Sequence, residues 1–315
     1  MLYYFCTEKQ TFVVEAFFGT WGAELKSSVK VIPYELMHTI ATIRRGAYVF
    51  ADLERLSPSQ ARLAAALRSR LEGAGLGAVC LNHPQSSLRR FDLLRALRQA
   101  GINDYAVHRF SDGAFQVKTP AFVRRGSDHG DNTTQLMNDQ AALFGHGMKL
   151  IAEGAPAEDV LCVEFCDVRG KDGLFRKYSV FRIGERLIPR HLFFSKNWLL
   201  KMPDLLNDGL LAEERRFLES NPHVETIRRV FDIAGIQYGR VDYGLRQERA
   251  QVFEINSHPV IMLPRAMYNA RHLEHQLWFR DRALEAFRDL LARGEALAGG
   301  DPVRIELGPA DLAES

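Results

Sequence analysis

Three hard oxygen donors, Asp242, Glu254 and Asn256, fall within the stretch Tyr238 to Pro259, YGRVDYGLRQERAQVFEINSHP. Side chains alternate along a strand, so RVDYGL sets Arg240, Asp242 and Gly244 on one face and Val241, Tyr243 and Leu245 on the other. The same alternation in QVFEIN puts Val252, Glu254 and Asn256 together, with Phe253 and Ile255 opposite. If RQER closes a hairpin between them, Asp242 comes near Glu254 and Asn256. Two carboxylates and an amide oxygen converging alone would repel. Mg²⁺, which takes oxygen ligands and keeps substrate phosphates in its shell, resolves that repulsion. The chemistry implied is the handling of a nucleotide polyphosphate. Any one of these residues alone would read as the wet face of an amphipathic hairpin; their combination with Arg240, and with the NSHP turn that stops the ladder, singles them out.

The elements that must position this hairpin are legible in outline. GAYVFADL and GAVCLNHP are short apolar strands, each followed by a segment of helical periodicity that ends on glycine, SPSQARLAAALRSRLEGAG and SLRRFDLLRALRQAGI. Strands alternating with helices of this length predict a small open α/β region over residues 1–115. From Thr119 the pattern changes: a strand in PAFVRRGSDHGDNTTQ, a helix over 135–152, then LCVEFC, GLFRKYSVFRIG and ERLIPRHLFF as antiparallel strands with one buried face. Two helices over 208–234 precede the hairpin, and one long helix or two short ones follow it. Residues 301–315 show no clear pattern.

Composition narrows the classes. The chain has 315 residues, 46% hydrophobic and 25% charged, with a formal net charge of +2, so no global field points to nucleic acid or an anionic membrane as partner. No window approaches the ~20 apolar residues of a membrane span, and MLYYFCTEKQTF is unlike a signal peptide, so a cytoplasmic protein is expected. The four cysteines, Cys6, Cys80, Cys162 and Cys166, sit in apolar runs as buried free thiols do. No second Cys or His pair at ligand spacing accompanies Cys162 and Cys166, so zinc is not expected there. The chain has neither G-x-S-x-G nor the P-loop pattern.

The hairpin resembles the C-terminal motif of the ATP-grasp superfamily, in which an Asp on one strand and a Glu-x-Asn on the next hold Mg²⁺ between nucleotide phosphates. By that resemblance Asp242, Glu254 and Asn256 are the metal ligands and Arg240 steadies the transferred group. The implied fold is α/β (α+β), an N-terminal open α/β domain followed by an ATP-grasp region at 116–300 whose two lobes enclose ATP around a hinge near 160–167, with 301–315 as a tail. The resemblance makes Glu164 of VLCVEFCD the hinge glutamate, gives the backbone of Phe165 and Cys166 to the adenine edge, and brings Asp167 or Asp172 to the ribose. Where the family carries a phosphate-binding lysine this sequence has FVRRGSDHG, so Arg124 or Arg125 stands in its place, with Lys118 a further candidate. The loop offers Ser127, His129 and backbone N–H groups as a phosphate cradle.

The segment FRKYSVFRIGERLIPRHLFFSKNWLLK is rich in alternating cations. From it Lys177, Arg182, Arg190 and His191 are candidates to face the phosphates or a carboxylate substrate, Arg190 as a catalytic group, and Lys196 or Lys201 the γ-phosphate. Asn82, His83, Pro84, Arg89 and Arg90 lie just past a strand end, where open α/β sheets bind ligands. The implied activity is an ATP- and Mg²⁺-dependent carboxylate–amine or carboxylate–thiol ligase acting through an acyl phosphate. A kinase of the same fold and an ATP-binding sensor are the alternatives. The expected partners are small-molecule or peptide carboxylates and amines, with a homodimer allowed as the assembly.

Overall fold

The computed structural model describes residues 1–73, 78–113, 115–127, 135–200, 202–296, 303–304 and 307. Its first layer is a parallel sheet in the order β2 (Val29–Pro33), β1 (Leu2–Cys6), β4 (Ala47–Phe50), β5 (Val79–Leu81). Alternation along β1 decides what covers each face. Leu2, Tyr4 and Cys6 join the core formed with α1 (Thr11–Gly19) and the long helix α7 (Leu273–Ala296), while Phe5 points to the core under α2 (Pro58–Gly73). A short strand, β3 (Thr42–Ile43), pairs with β13 (Val303–Arg304).

A small antiparallel sheet runs β6 (Val107–Arg109), β8 (Val160–Glu164), β7 (Ala121–Arg125). Val123, Val160 and Cys162 pack toward α4 (Gln140–Ala152), whereas Leu161 and Val163 meet Phe91 and Leu94 of α3 (Arg90–Gln99). The larger antiparallel sheet runs β10 (Arg186–Ser195), β9 (Phe175–Ile183), β11 (Tyr238–Arg246), β12 (Arg249–Asn256). Helices α5 (Asp208–Ser220) and α6 (Val224–Ala234) cover one of its faces through Phe217, Ile227 and Phe231. The two short strands and the helical segments of the α/β region, and the strands from PAFVRR onward, stand where alternation and periodicity place them. The segment after the hairpin is one continuous helix.

That helix closes one core shared by both sheets. Phe279, Phe287 and Leu290 of α7 pack with Leu2, Tyr4 and Val49 of the parallel sheet and with Phe181 and Ile183 of the antiparallel one. It passes so close to β4 that a Cβ on Gly294 would lie 2.7 Å from the Ala47 nitrogen, which only glycine avoids. Asn82 stitches the same two sheets. Its amide nitrogen donates to the Phe50 and Tyr238 carbonyls at 3.0 and 2.9 Å, and its oxygen accepts the Gln237 and Tyr238 amides at 2.8 and 2.9 Å. With every side-chain valence engaged and a left-handed φ of 61°, Asn82 is a structural residue and offers nothing to a ligand.

Candidate active site between the two antiparallel sheets

The hairpin forms through a two-residue turn in which Gln247 and Glu248 both have positive φ, 50° and 60°. In the β11–β12 register Asp242 lies opposite Glu254 and Arg240 opposite Asn256. One correction to the simple alternation follows from that register, which shifts between Asp242 and Tyr243 so that Phe253 is the extra residue of a β-bulge. Val252 is thereby turned into the helix-covered core, and Phe253 lines the cleft beside Glu254 and Asn256. The bulge sits where β12 is held from its open edge: Asn103 receives the Val252 amide at 2.8 Å and donates to the Val252 carbonyl at 3.0 Å.

The cleft has a volume of about 380 Å³ and two kinds of wall. One is aromatic: Trp198 lies 5.0 Å from Phe122 and 5.7 Å from Phe165, ring centre to ring centre, with Phe175 beyond Phe165 at 6.5 Å. The other is ionic. Asp242, only 3% exposed, accepts from Ser179 Oγ at 2.6 Å and from Arg240 Nε at 3.0 Å, with Lys177 Nζ at 3.8 Å. Glu254 is paired with Arg90 and has Arg124 at 3.7 Å. Four cations thus surround two carboxylates, an excess of positive charge that suits a polyanion, while the oxygens of Asp242, Glu254 and Asn256 on adjacent positions of one hairpin suit a hard divalent cation.

Behind Asp242 is a buried relay. Ser179 Oγ also meets His191 Nε2 at 2.7 Å. Burial, and then the nearby Arg190, Arg240 and Lys177, hold His191 well below the usual imidazole range, so the ring is neutral. The single proton of the serine hydroxyl goes to Asp242, which requires His191 to carry its proton on Nε2 and donate it to Ser179. His191 therefore orients Asp242 through Ser179 and does not itself face the cleft.

The structure brings Arg124, Glu164, Phe165, Cys166, Lys177, Arg240, Asp242, Glu254 and Asn256 together along the cleft. Strand alternation separates the two arginines of β7. Arg124 faces Glu254, whereas Arg125 turns away to Asp159 at 2.9 Å. Ser127 is not brought to the cleft. Its amide and hydroxyl are both bound to Asp159, at 2.7 Å each, so it cradles no phosphate. Arg190 is not brought there either: its guanidinium is buried against the Ile261 carbonyl, Gln276 and Tyr268, and burial lowers its pKa. Arg182 pairs with Asp232 at 2.7 Å on the helix-covered side. His129 and Lys201 lie outside the described residues.

At the end of β8, Glu164 accepts the amides of Ala106 and Lys118 at 2.8 and 3.1 Å, and the Phe165 amide donates to the Pro120 carbonyl at 2.9 Å. Phe165 can therefore meet an adenine edge with its carbonyl only. Lys118 contributes a backbone contact, and Asp167 and Asp172 are engaged by Arg169 and Arg176. The thiols of Cys6, Cys80, Cys162 and Cys166 are all free. Burial, reinforced by the Asp104 and Asp167 charges and opposed by Arg246, pushes Cys166 up to about 11, which leaves it unreactive as a nucleophile.

Sequence reasoning missed Trp198, Phe122, Phe253 and Ser179, and gave Arg90 no partner. Arg90 heads α3 beside the cleft, donating to the Gly126 carbonyl at 2.6 Å and pairing with Glu254. The signal for Trp198 was a large aromatic amid polar residues in FFSKNWLLK. For Arg90 there was none beyond its place after a strand end.

Among the described residues no helix is long and apolar enough to cross a membrane. No family model matches the sequence, and no curated protein matches it either. Among solved structures the chain is similar to the ATP-grasp ligase PsnB complexed with minimal precursor, at 13% identity and a TM-score of 0.53 over 93% of this chain and 98% of that one. It is also similar to a RimK domain ATP-grasp protein from Sphaerobacter thermophilus, at 13% identity and a TM-score of 0.50 over 93% of this chain and 100% of that one. At such identities the likeness is one of fold.

Proposed function

From the ATP-grasp fold that this chain has, we propose that it is an ATP- and Mg²⁺-dependent ligase that activates the carboxylate of a small molecule or peptide as an acyl phosphate and passes it to an amine or other nucleophile. The observation that carries this reading is the cross-strand pairing of Asp242 with Glu254 and of Arg240 with Asn256, ringed by Arg90, Arg124, Lys177 and Arg240 in a cleft whose other wall is aromatic. Fold alone would not name a reaction.

The aromatic wall suits a planar base, which gains by stacking and edge contacts. The ionic wall suits a triphosphate. Asp242, Glu254 and Asn256 would hold Mg²⁺, which would offset the negative charge of the phosphates. Arg240 and Lys177 now lean on Asp242, and Arg90 and Arg124 on Glu254. Those same cations are within reach of phosphate oxygens once the carboxylates have another partner, and the planar forks of the arginines make bidentate contacts that a lysine would not. A free carboxylate resists attack by an amine. Phosphorylating it supplies a leaving group, and the protein's part is to align the two oxygens and neutralise charge as it develops. In this reading residues 116–300 are the grasp region and 160–167 its hinge.

The test is to supply ATP, Mg²⁺ and a panel of carboxylates with amines, and to measure ADP, free phosphate and products together. ADP and phosphate formed in step with a new amide support the ligase. A phosphorylated product without phosphate release makes the chain a kinase, and nucleotide binding without ADP makes it a sensor.

A further inference from the structure

A second constellation, which the proposed ligation does not use, lies where α5 meets the start of α7. Glu214 is buried, and its Oε2 accepts from His275 Nδ1 at 2.7 Å and from His272 Nε2, while Oε1 accepts the Leu192 amide at 3.1 Å. The segment HLEH sets the two rings at i and i+3 on one side of a helical turn, a His pair at ligand spacing. The ligand atoms of Glu214, His272 and His275 lie within 4.8 Å of one another, and this is the one such group of His, Cys, Asp and Glu among the described residues.

Hydrogen bonding alone accounts poorly for the arrangement. The Leu192 amide and one imidazole would satisfy a buried carboxylate, yet two buried imidazoles converge on a single oxygen. Two ring nitrogens and a carboxylate oxygen held on separate elements are the donor set that first-row transition-series ions, Zn²⁺ above all, prefer, and one that Mg²⁺ does not. We propose that Glu214, His272 and His275 bind one divalent ion of the Zn²⁺ class. His272 keeps 11% of its side chain exposed, the side from which an ion and its water ligands would enter. On binding, the proton now on the donor nitrogen of each ring moves to its other nitrogen or to solvent, since the metal needs the lone pair. The ion clamps α5 to α7 and, through the Leu192 amide, reaches the strand that carries His191.

The experiment uses the tag-free full chain, stripped with a chelator and titrated calorimetrically with Zn²⁺, with Co²⁺ as a spectroscopic probe. One equivalent of Zn²⁺, a raised unfolding midpoint and visible d–d bands of Co²⁺ are expected, and His272→Gln with His275→Gln should weaken Zn²⁺ binding at least about 100-fold. Glu254→Gln, which alters the cleft donors only, should leave Zn²⁺ binding unchanged, so failure of this site and failure of the ligase reading are told apart. The proposal is overturned if the unaltered chain binds no Zn²⁺ and gives no d–d bands, if the double variant binds as well as the unaltered chain, or if Glu254→Gln abolishes binding. Should the double variant fail to fold, the Co²⁺ bands of the unaltered chain decide.

Discussion

Arg240 and Arg190 stand on the two strands that flank β9, and they do opposite things. Arg190 is 6% exposed, all its observed partners are neutral, and its guanidinium lies 4.5 Å over the Phe279 ring. Arg240 is paired with Asp242 at the rim of a cleft. The difference is in the partner. An arginine whose donors end on a carbonyl, an amide and a phenol is locked into packing, whereas one that leans on a prospective metal ligand is placed to change partners when a ligand arrives.

The sharpest way to break that comparison is to neutralise the carboxylate. Asp242→Asn should lower ADP formation by on the order of 10² to 10³, the scale for losing one preorganised electrostatic contact, with the far-ultraviolet circular dichroism unchanged. Full Mg²⁺-dependent turnover in that variant would remove Asp242 from the site. Arg190→Ala should do the reverse. It strands the Ile261 carbonyl, Gln276 and Tyr268, so denaturant unfolding should show a loss of about 2 to 4 kcal/mol while the folded fraction keeps its kcat; a lost kcat at unchanged stability would return Arg190 to the chemistry.

Arg124 and Arg125 repeat the contrast on one strand. Truncating Arg124 should weaken ATP binding, measured by calorimetry, by about 1.5 to 3 kcal/mol. Arg125→Ala removes a partly exposed ion pair with Asp159 and should cost at most about 1 kcal/mol of stability and nothing in affinity. Equal affinity losses would mean that strand alternation does not govern this wall. The smallest effect is expected at the hairpin tip. Gln247 and Glu248 hold positive φ that Asn and Gly adopt more readily, so Gln247→Asn with Glu248→Gly should raise stability by about 1 kcal/mol and leave turnover alone.

These pairs also mark how far the sequence could be read. The hairpin, its turn and the facing of Asp242 toward Glu254 and Asn256 were legible because period-2 alternation and strand pairing are local rules. Val252 and Phe253 were misplaced because a bulge depends on Asn103, far away in the chain, holding the Val252 backbone. Arg190 looked like a functional cation because nothing in ERLIPRHLFF announces that Gln276 and Tyr268 will enclose it. Ser127 looked like a phosphate ligand for the same reason: Asp159, its partner, comes from a different loop. In each case the residue type was informative and the partner was not, since partners are chosen by tertiary packing.

The place of α7 in the core that both sheets share has a consequence for synthesis. Leu2 and Tyr4 are synthesised well before Phe279, Phe287 and Leu290, which complete their core. At translation rates of about 5 to 20 residues per second the first strand waits roughly 15 to 60 s for its cover, with an apolar face open to other partners. The parallel sheet therefore cannot mature as an early autonomous unit. A nascent chain stalled before Leu273 should be held by chaperones or be protease-sensitive throughout its first layer, and the arrival of α7 should be the event that lets both sheets close.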